Sequence, residues 1–243
     1  MARKPARRNR DVTSFATDQE RTNDCGYSGY AANMIVKSPN GRYDAVVFDL
    51  LTALIDSWTL WNSVAGSPED GLRWRRKYLA LTYRQGAYHR YEAIVRAAAE
   101  QSGVGADCAD ELVRRWDELP PWPETVEVVG ALAHRLQLGV ATNCSIALGR
   151  RAAARCGVAF AAVVTAEEAG FYKPRPEPYR AVLAQLGTAP AGTLFVAGSA
   201  ADVPGAKGVG MPVYWHNRMG LPAHDGAAPD FMETSLRPLL ELA

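Results

Sequence analysis

The sequence predicts an α/β fold, a parallel sheet covered by helices and interrupted by a helical insert. Short apolar runs alternate with amphipathic stretches of helical period, which is typical of parallel strands joined by crossover helices. The interval from residue 58 to 122 breaks this alternation, because it carries long helical patterns and no convincing strand.

Five apolar runs are expected to be the strands of the sheet. They cover residues 45–48, 138–141, 160–164, 194–197 and 212–215. Helical stretches are predicted near 124–136, 145–156, 176–187 and 202–209. This order predicts right-handed crossovers with helices on both faces of the sheet.

The interval 58–122 is predicted to be an α-helical cap. Its helical patterns cover 72–85, 88–101 and 107–118. Ligands of open α/β sheets bind beyond the carboxyl ends of the strands, so an insert directly after the first strand should cover the site and exclude water. The predicted organisation is a flexible tail over 1–42, a core over 43–57 and 123–243, and the cap over 58–122.

The composition predicts a folded protein that acts on a small molecule. Lys and Arg number 27 against 26 acidic residues, a net charge of +1, which disfavours nucleic acid and anionic membranes as partners. No apolar stretch is long enough to span a membrane. The four cysteines lack the spacing of a disulfide framework or zinc site, which predicts reduced thiols and a cytoplasmic location. A homodimer is the candidate assembly.

Residues able to do chemistry follow three of the predicted strands and should meet at one edge of the sheet. They are Asp49 after the first strand, Thr142 and Asn143 after the second, and Ser199 and Asp202 after the fourth. Lys173, in a proline-rich loop before a helix, can reach the same edge. One carboxylate can act as a nucleophile, the lysine can keep it ionised, a hydroxyl or amide can hold an anion, and the second carboxylate can activate water.

Taken singly, these residues also fit ordinary structural roles. Asp49 or Asp202 can be an N-cap, Lys173 a solvated lysine and Thr142 a turn hydroxyl. Aromatic residues of the insert either line its inner face or pack between its helices. These aromatics are Trp58, Trp61, Trp74, Tyr78, Tyr83, Tyr88 and Tyr91.

Four segments in order resemble the motifs of the haloacid dehalogenase (HAD) superfamily of aspartate-nucleophile hydrolases. They are Val47 to Ser57, Ala141-Thr142-Asn143, Lys173-Pro174, and Val196 to Val203. The resemblance implies a Rossmann-like core with an α-helical cap, with Asp49 as nucleophile and Lys173 as its ionic partner.

Two positions separate the chain from the Mg²⁺-dependent phosphatases of this superfamily. Leu51 stands where they place a second aspartate, and Gly198 where they place a metal-binding aspartate. The pattern is closest to the L-2-haloacid dehalogenase (type II) branch, which needs no metal. That likeness implies Asp202 as the residue that helps activate water and includes Tyr179, six residues after Lys173. It also includes Trp74-Arg75-Arg76-Lys77, His89-Arg90-Tyr91 and Trp215-His216-Asn217-Arg218.

The chain also departs from those dehalogenases. Ala53 replaces a threonine expected four residues after the nucleophile, and Ala197 and Ser199 replace a hydroxyl and an amide. An ungapped comparison puts Gln85, with Arg84 beside it, where an arginine for halide and carboxylate is expected.

Three hypotheses follow for the function. The first is a metal-independent hydrolase that forms an aspartyl ester and acts on a small 2-halocarboxylate or a related carboxylate. The second is a Mg²⁺ phosphatase with degenerate motifs, and the third is a non-catalytic binding protein. The first predicts no cofactor, catalytic residues Asp49, Lys173 and Asp202, and substrate-binding residues Thr142, Asn143, Arg84, Gln85, Ser199 and Tyr179.

Overall fold

The computed structural model describes residues 42–223 and 228–243. The predicted flexible tail, except for residue 42, therefore lies outside the described residues. Within them, no helix is both long and apolar enough to cross a membrane. The described cysteines, Cys108, Cys144 and Cys156, form no disulfide.

A six-stranded parallel sheet forms the centre of the fold, with the strand order β3-β2-β1-β4-β5-β6. The strands are β1 (Ala45–Phe48), β2 (Gln137–Thr142), β3 (Ala162–Thr165), β4 (Thr193–Ala197), β5 (Val213–His216) and β6 (Phe231–Glu233). The five predicted strands are present, and the α/β, Rossmann-like fold is confirmed. β6 was missed because it is a short edge strand whose Met232 and Glu233 are exposed, so it leaves no apolar run in the sequence.

The described residues form ten α-helices. They are α1 (Ser57–Ala65), α2 (Pro68–Gln85), α3 (Tyr91–Ser102), α4 (Ala106–Arg114), α5 (Thr125–Ala133), α6 (Ile146–Ala153), α7 (Ala166–Ala169), α8 (Pro176–Leu186), α9 (Asp202–Gly208) and α10 (Leu239–Leu242). We call α1 to α4, which lie between β1 and α5, the helical insert. The division of the chain into cap and core domains stays a prediction.

The helical insert begins earlier than the sequence patterns predict. α1 was not among the predicted helices; the Asp56 side chain caps it by accepting from the Thr59 backbone N–H at 3.1 Å. α2 begins at Pro68, with Ser67 as its N-cap, four residues before the predicted start. Capping side chains, and not a repeating pattern of apolar residues, mark where these two helices begin.

Aromatic packing holds the helices of the insert together. The rings of Trp61 and Trp74 lie 4.5 Å apart, Trp61 and Tyr78 lie 5.4 Å apart, and Tyr78 meets Tyr91 edge-on at 5.7 Å. Trp61, Trp74 and Tyr91 are fully buried. These three aromatics therefore have the packing role that the sequence left open.

Backbone hydrogen bonds attach the insert to the sheet near the carboxyl ends of the strands. The Tyr88 N–H donates to the Gly170 carbonyl at 2.8 Å, and the Tyr172 N–H donates to the Gly86 carbonyl at 2.7 Å. In the segment that follows the insert, the Trp122 side chain adds another bond, in which its indole N–H donates to the Thr52 carbonyl at 3.0 Å, just after β1. The insert is thus fixed over the edge at which the chemistry-bearing residues were expected to meet.

Candidate active site

A small cavity lies between the carboxyl end of the sheet and the helical insert. Its volume is about 70 Å³. The core lines it with six of the predicted residues: Asp49, Thr142, Asn143, Lys173, Ser199 and Asp202. The insert lines it with Trp58, Arg75, Tyr78, Leu79 and Tyr83. The parallel register explains the convergence, since β2 and β4 flank β1 and all three strands end at the same edge.

Asp49 follows β1 directly and is held by hydrogen bonds at both carboxylate oxygens. Oδ1 accepts from Lys173 Nζ at 2.7 Å, and Oδ2 accepts from the Thr52 hydroxyl at 2.8 Å. Burial raises the pKa of this carboxyl, but the charge and hydrogen bond of Lys173 and the bonds from Thr52 outweigh burial, so the pKa lies below its ordinary value. Asp49 is therefore ionised, and Thr52 provides the hydroxyl that Ala53 lacks.

Lys173 is the cation between the two site carboxylates. Its side chain is 1% exposed, and Nζ lies 2.7 Å from Asp49 Oδ1 and 3.1 Å from Asp202 Oδ2. Burial lowers the pKa of the ammonium, yet the charges of Asp202 and Asp49 raise it above its usual value. The Asn143 side chain positions this residue, because its Oδ1 accepts from the Lys173 N–H at 2.7 Å and its Nδ2 donates to the Lys173 carbonyl at 3.2 Å.

Asp202 is the first residue of α9 and shares the ammonium with Asp49. Burial, and then the charge of Asp49, raise its pKa to about 6 against the opposing effect of Lys173. The Tyr179 hydroxyl donates to the Asp202 carbonyl at 3.2 Å and lies 3.4 Å from Oδ1. Tyr179 is fully buried and does not line the cavity, so its predicted contact with substrate is replaced by a contact with Asp202.

The two predicted hydroxyl residues of the core both lie at the cavity. Thr142 is buried at the end of β2, and its hydroxyl donates to Cys144 Sγ at 3.3 Å. Ser199 Oγ accepts from the Ala201 N–H at 3.3 Å and lies 3.4 Å from the Tyr83 hydroxyl.

The structure corrects the prediction for Arg84 and Gln85. Both side chains are exposed at the end of α2, and they line a separate surface depression together with His89. The cation that the insert brings to the cavity is Arg75, nine residues before Arg84 on the same helix. Nine residues of α-helix span about 14 Å, so neither predicted residue can replace it. The sequence did point to Arg75, because the resemblance includes the segment Trp74-Arg75-Arg76-Lys77.

Arg75 is a buried guanidinium with unused hydrogen-bonding capacity. It is 5% exposed, its Nη2 donates to Ser57 Oγ at 2.7 Å, and its guanidinium carbon lies 4.2 Å from the ring centre of Trp58. Nη1 is buried and has no hydrogen-bond partner among residues 42–223 and 228–243. Burial lowers the pKa of Arg75, but a guanidinium stays charged at neutral pH. The insert thus offers a charged donor suited to an anion.

The residues at the cavity do not fit a Mg²⁺ ion. A Cβ atom at Gly198 would lie 2.1 Å from Thr52 Oγ1 and 2.4 Å from the Ala53 nitrogen, which leaves no room for an acidic side chain. Leu51 lines the cavity with a hydrocarbon side chain, and both carboxylates already form ion pairs with Lys173. The described parts of the chain hold no cluster of three or more Asp, Glu, His or Cys residues that could bind a metal.

We expect Gly198→Ala to destabilise the fold by ~1–3 kcal/mol, because the new methyl group overlaps the loop that carries Thr52. Urea unfolding measures the change. Gly208→Ala is the matched control, since a Cβ there meets no atom within 4 Å. Equal stability of the two variants would contradict the close contact between Gly198 and Thr52.

Comparisons with known proteins relate this site to an enzyme family. The sequence pattern of the haloacid dehalogenase-like hydrolases matches residues 43–210. Haloacetate dehalogenase H-2 of Moraxella sp. (strain B) is 27% identical over 208 residues, which are 78% of this chain and 93% of that protein. A phosphoserine phosphatase of Thermus thermophilus is 30% identical over 154 residues, 60% of this chain and 62% of that protein.

A solved structure has the same fold. It is the L-2-haloacid dehalogenase of Xanthobacter autotrophicus with chloropropionic acid covalently bound, which aligns with a TM-score of 0.70 at 24% identity over 82% of this chain and 98% of that one. Similarity thus extends along nearly the whole of both dehalogenases but along less of the phosphatase, in agreement with the predicted branch. The sequence pattern covers more than half of the chain and contains Asp49, Lys173 and Asp202, and we conclude that the protein belongs to the haloacid dehalogenase-like hydrolase family.

Proposed function

We propose that this protein hydrolyses the carbon–halogen bond of a small 2-halocarboxylate, without a metal ion, through an ester on Asp49. The observation that carries the proposal is the presence of an ionised, buried carboxylate and a partly unpaired guanidinium at one cavity. The carboxylate of Asp49 is suited to attack carbon, and the guanidinium of Arg75 is suited to hold an anion. The name of the haloacetate dehalogenase relative supports the same substrate class.

In the first step, a carboxylate oxygen of Asp49 forms a bond to the α-carbon while the carbon–halogen bond breaks and the halide leaves with its electron pair. Lys173 and Thr52 hold the carboxylate in place, which lowers the entropic cost of the attack. The halide leaves on the side opposite the nucleophile. Asp49 belongs to the core, so that side is the insert, where the positive charge of Arg75 attracts the anion.

In the second step, Asp202 takes a proton from water, and the water oxygen attacks Cγ of the Asp49 ester. The bond between Cγ and the ester oxygen, which Asp49 supplied in the first step, then breaks. The new carboxyl group of Asp49 gives its proton to the departing oxygen, which yields a 2-hydroxy acid and restores the Asp49 carboxylate, and Asp202 releases its proton to solvent. A base with a pKa of about 6 is ionised at neutral pH and still accepts a proton readily.

The size of the cavity limits the substrate. A volume of about 70 Å³ is about twice the ~30 Å³ that one water molecule takes up in the liquid. This suits a haloacetate or a 2-halopropionate better than a long-chain acid. The partner is accordingly a small molecule, whereas the cytoplasmic location and the homodimer stay predictions.

Halide release separates this proposal from its alternatives. The protein is incubated with chloroacetate and 2-chloropropionate, with and without EDTA, and with p-nitrophenyl phosphate over a range of Mg²⁺ concentrations. Chloride release that EDTA does not change supports the proposal. Mg²⁺-dependent phosphate release without chloride would indicate a phosphatase. Substrate binding with neither product would indicate a non-catalytic binding protein.

We expect the ester-hydrolysis step to slow only at acid pH, below about 6, because protonated Asp202 cannot accept a proton from water. The charge of Asp49 contributes to the raised pKa of Asp202 and is absent once Asp49 carries the ester. The pH at which the hydrolysis rate declines should therefore lie below the pKa that Asp202 has in the protein without the ester. Single-turnover formation of the hydroxy acid as a function of pH measures it, and a decline that begins well above pH 6 would exclude Asp202 as the base.

A further inference from the structure

Tyr83 and Ser199 form a pair of hydroxyls at the cavity to which the two steps above assign no role. Tyr83 belongs to α2 of the insert, and Ser199 to the loop between β4 and α9. Their oxygens lie 3.4 Å apart, so the pair joins the insert to the core at the cavity wall.

The pair has hydrogen-bonding capacity to spare. Two hydroxyls carry two O–H groups, and their mutual bond uses only one. Ser199 Oγ also accepts from the Ala201 N–H at 3.3 Å, which occupies a lone pair but no hydrogen. Within the part of the chain that the structure describes, the Tyr83 hydroxyl has no other partner. Whichever oxygen donates to the other, one O–H remains available to a molecule in the cavity.

The hydroxyl pair has Asp202, more than Asp49, as its neighbouring carboxylate. Ser199 and Asp202 belong to one turn, in which the Asp202 N–H donates to the Ser199 carbonyl at 3.1 Å. After burial, the charge of Asp202 is the largest cause that raises the pKa of Tyr83, ahead of the charge of Asp49. The raised pKa also keeps the phenol protonated at neutral pH, so that it serves as a neutral donor.

We propose that Tyr83, paired with Ser199, holds the hydrolytic water beside Asp202. The inference rests on the proposed function, because it needs the Asp49 ester. The free O–H of the pair donates to the water oxygen, the water donates one hydrogen to Asp202, and its other lone pair can face Cγ of Asp49. Tyr83 is then a positioning residue for the second step and has no part in breaking the carbon–halogen bond.

Single-turnover kinetics of Tyr83→Phe with chloroacetate test the inference. Chloride release in the first turnover should match the wild type, whereas glycolate formation should slow about tenfold, the effect of one lost hydrogen bond. Mass spectrometry of the acid-quenched protein should show a carboxymethyl ester on Asp49 that persists longer than in the wild type. Ser199→Ala should slow the same step, and the double variant should be little slower than either single one.

Tyr88→Phe is the matched control. Tyr88 also belongs to the insert, but it stacks on Tyr172 at 5.5 Å and does not line the cavity. Both of its rates should equal those of the wild type.

The possible outcomes separate this inference from the proposed function. If Tyr83→Phe slowed chloride release as much as glycolate formation, or changed neither rate, the water-holding role would be wrong while the ester mechanism stood. If the wild type released no chloride and formed no adduct, both the proposed function and this inference would be wrong.

Discussion

Asp49→Asn is expected to lower the turnover of chloroacetate by on the order of 10⁵-fold, the scale seen when an enzyme loses its nucleophile. The amide is neutral and cannot form the ester. Lys173 retains its ion pair with Asp202 at 3.1 Å, so the variant should fold. Chloride release measures the loss, and a thermal melt confirms the fold.

Asp56→Asn is the control for this variant. Asp56 caps α1 by accepting from the N–H and hydroxyl of Thr59, and asparagine caps a helix about as well as aspartate. Its activity should therefore equal that of the wild type. If Asp49→Asn retained most of its activity, the nucleophile would have to be another group.

Arg75→Met is expected to lower kcat/KM for chloroacetate by on the order of 10²- to 10³-fold, since losing one partner of a buried charge pair costs about 2–5 kcal/mol. The buried guanidinium would no longer hold the carboxylate or the leaving halide. Arg75→Lys should also be impaired, because an ammonium keeps the charge but cannot stack as a plane on Trp58.

Stability should change differently from activity in Arg75→Met. A buried guanidinium with an unpaired Nη1 costs desolvation energy that methionine does not. The free energy of unfolding in urea should therefore stay the same or increase while activity is lost. Arg84→Met, at an exposed position outside the cavity, should change neither quantity. A large loss of activity in Arg84→Met, with none in Arg75→Met, would restore the original sequence prediction.

The sequence predicted the central strands because burial leaves a clear pattern there. β1 and β4 are buried at every position, so their apolar runs are continuous. β6 has partly exposed side chains and gave no such run. α1 and the start of α2 depend on the local caps Asp56 and Ser67, which periodicity does not detect.

The site residues of the core were also predictable, because each follows a strand or, in the case of Lys173, lies in a proline-rich loop at the same edge of the sheet. Residues of the insert were harder to assign. Which of them reach the cavity depends on how α2 packs against α1. α2 carries basic residues on several faces, so the sequence alone does not tell which of them lies at the cavity. For this reason the sequence predicts Arg84 and Gln85 at the site, whereas the structure places Arg75 there. The resemblance expects a hydroxyl at position 53, which is Ala53, so the sequence does not predict the hydrogen bond from Thr52 to Asp49.

Isotope labelling tests the central claim, the covalent bond to Asp49, most directly. The protein turns over chloroacetate repeatedly in ¹⁸O-water, and mass spectrometry then locates the label. Water that attacks Cγ of the ester leaves ¹⁸O in the Asp49 carboxylate, and the glycolate of the first turnover carries an unlabelled oxygen from Asp49. If the first glycolate carried ¹⁸O and Asp49 stayed unlabelled, water would attack the substrate directly, and the ester mechanism would be contradicted.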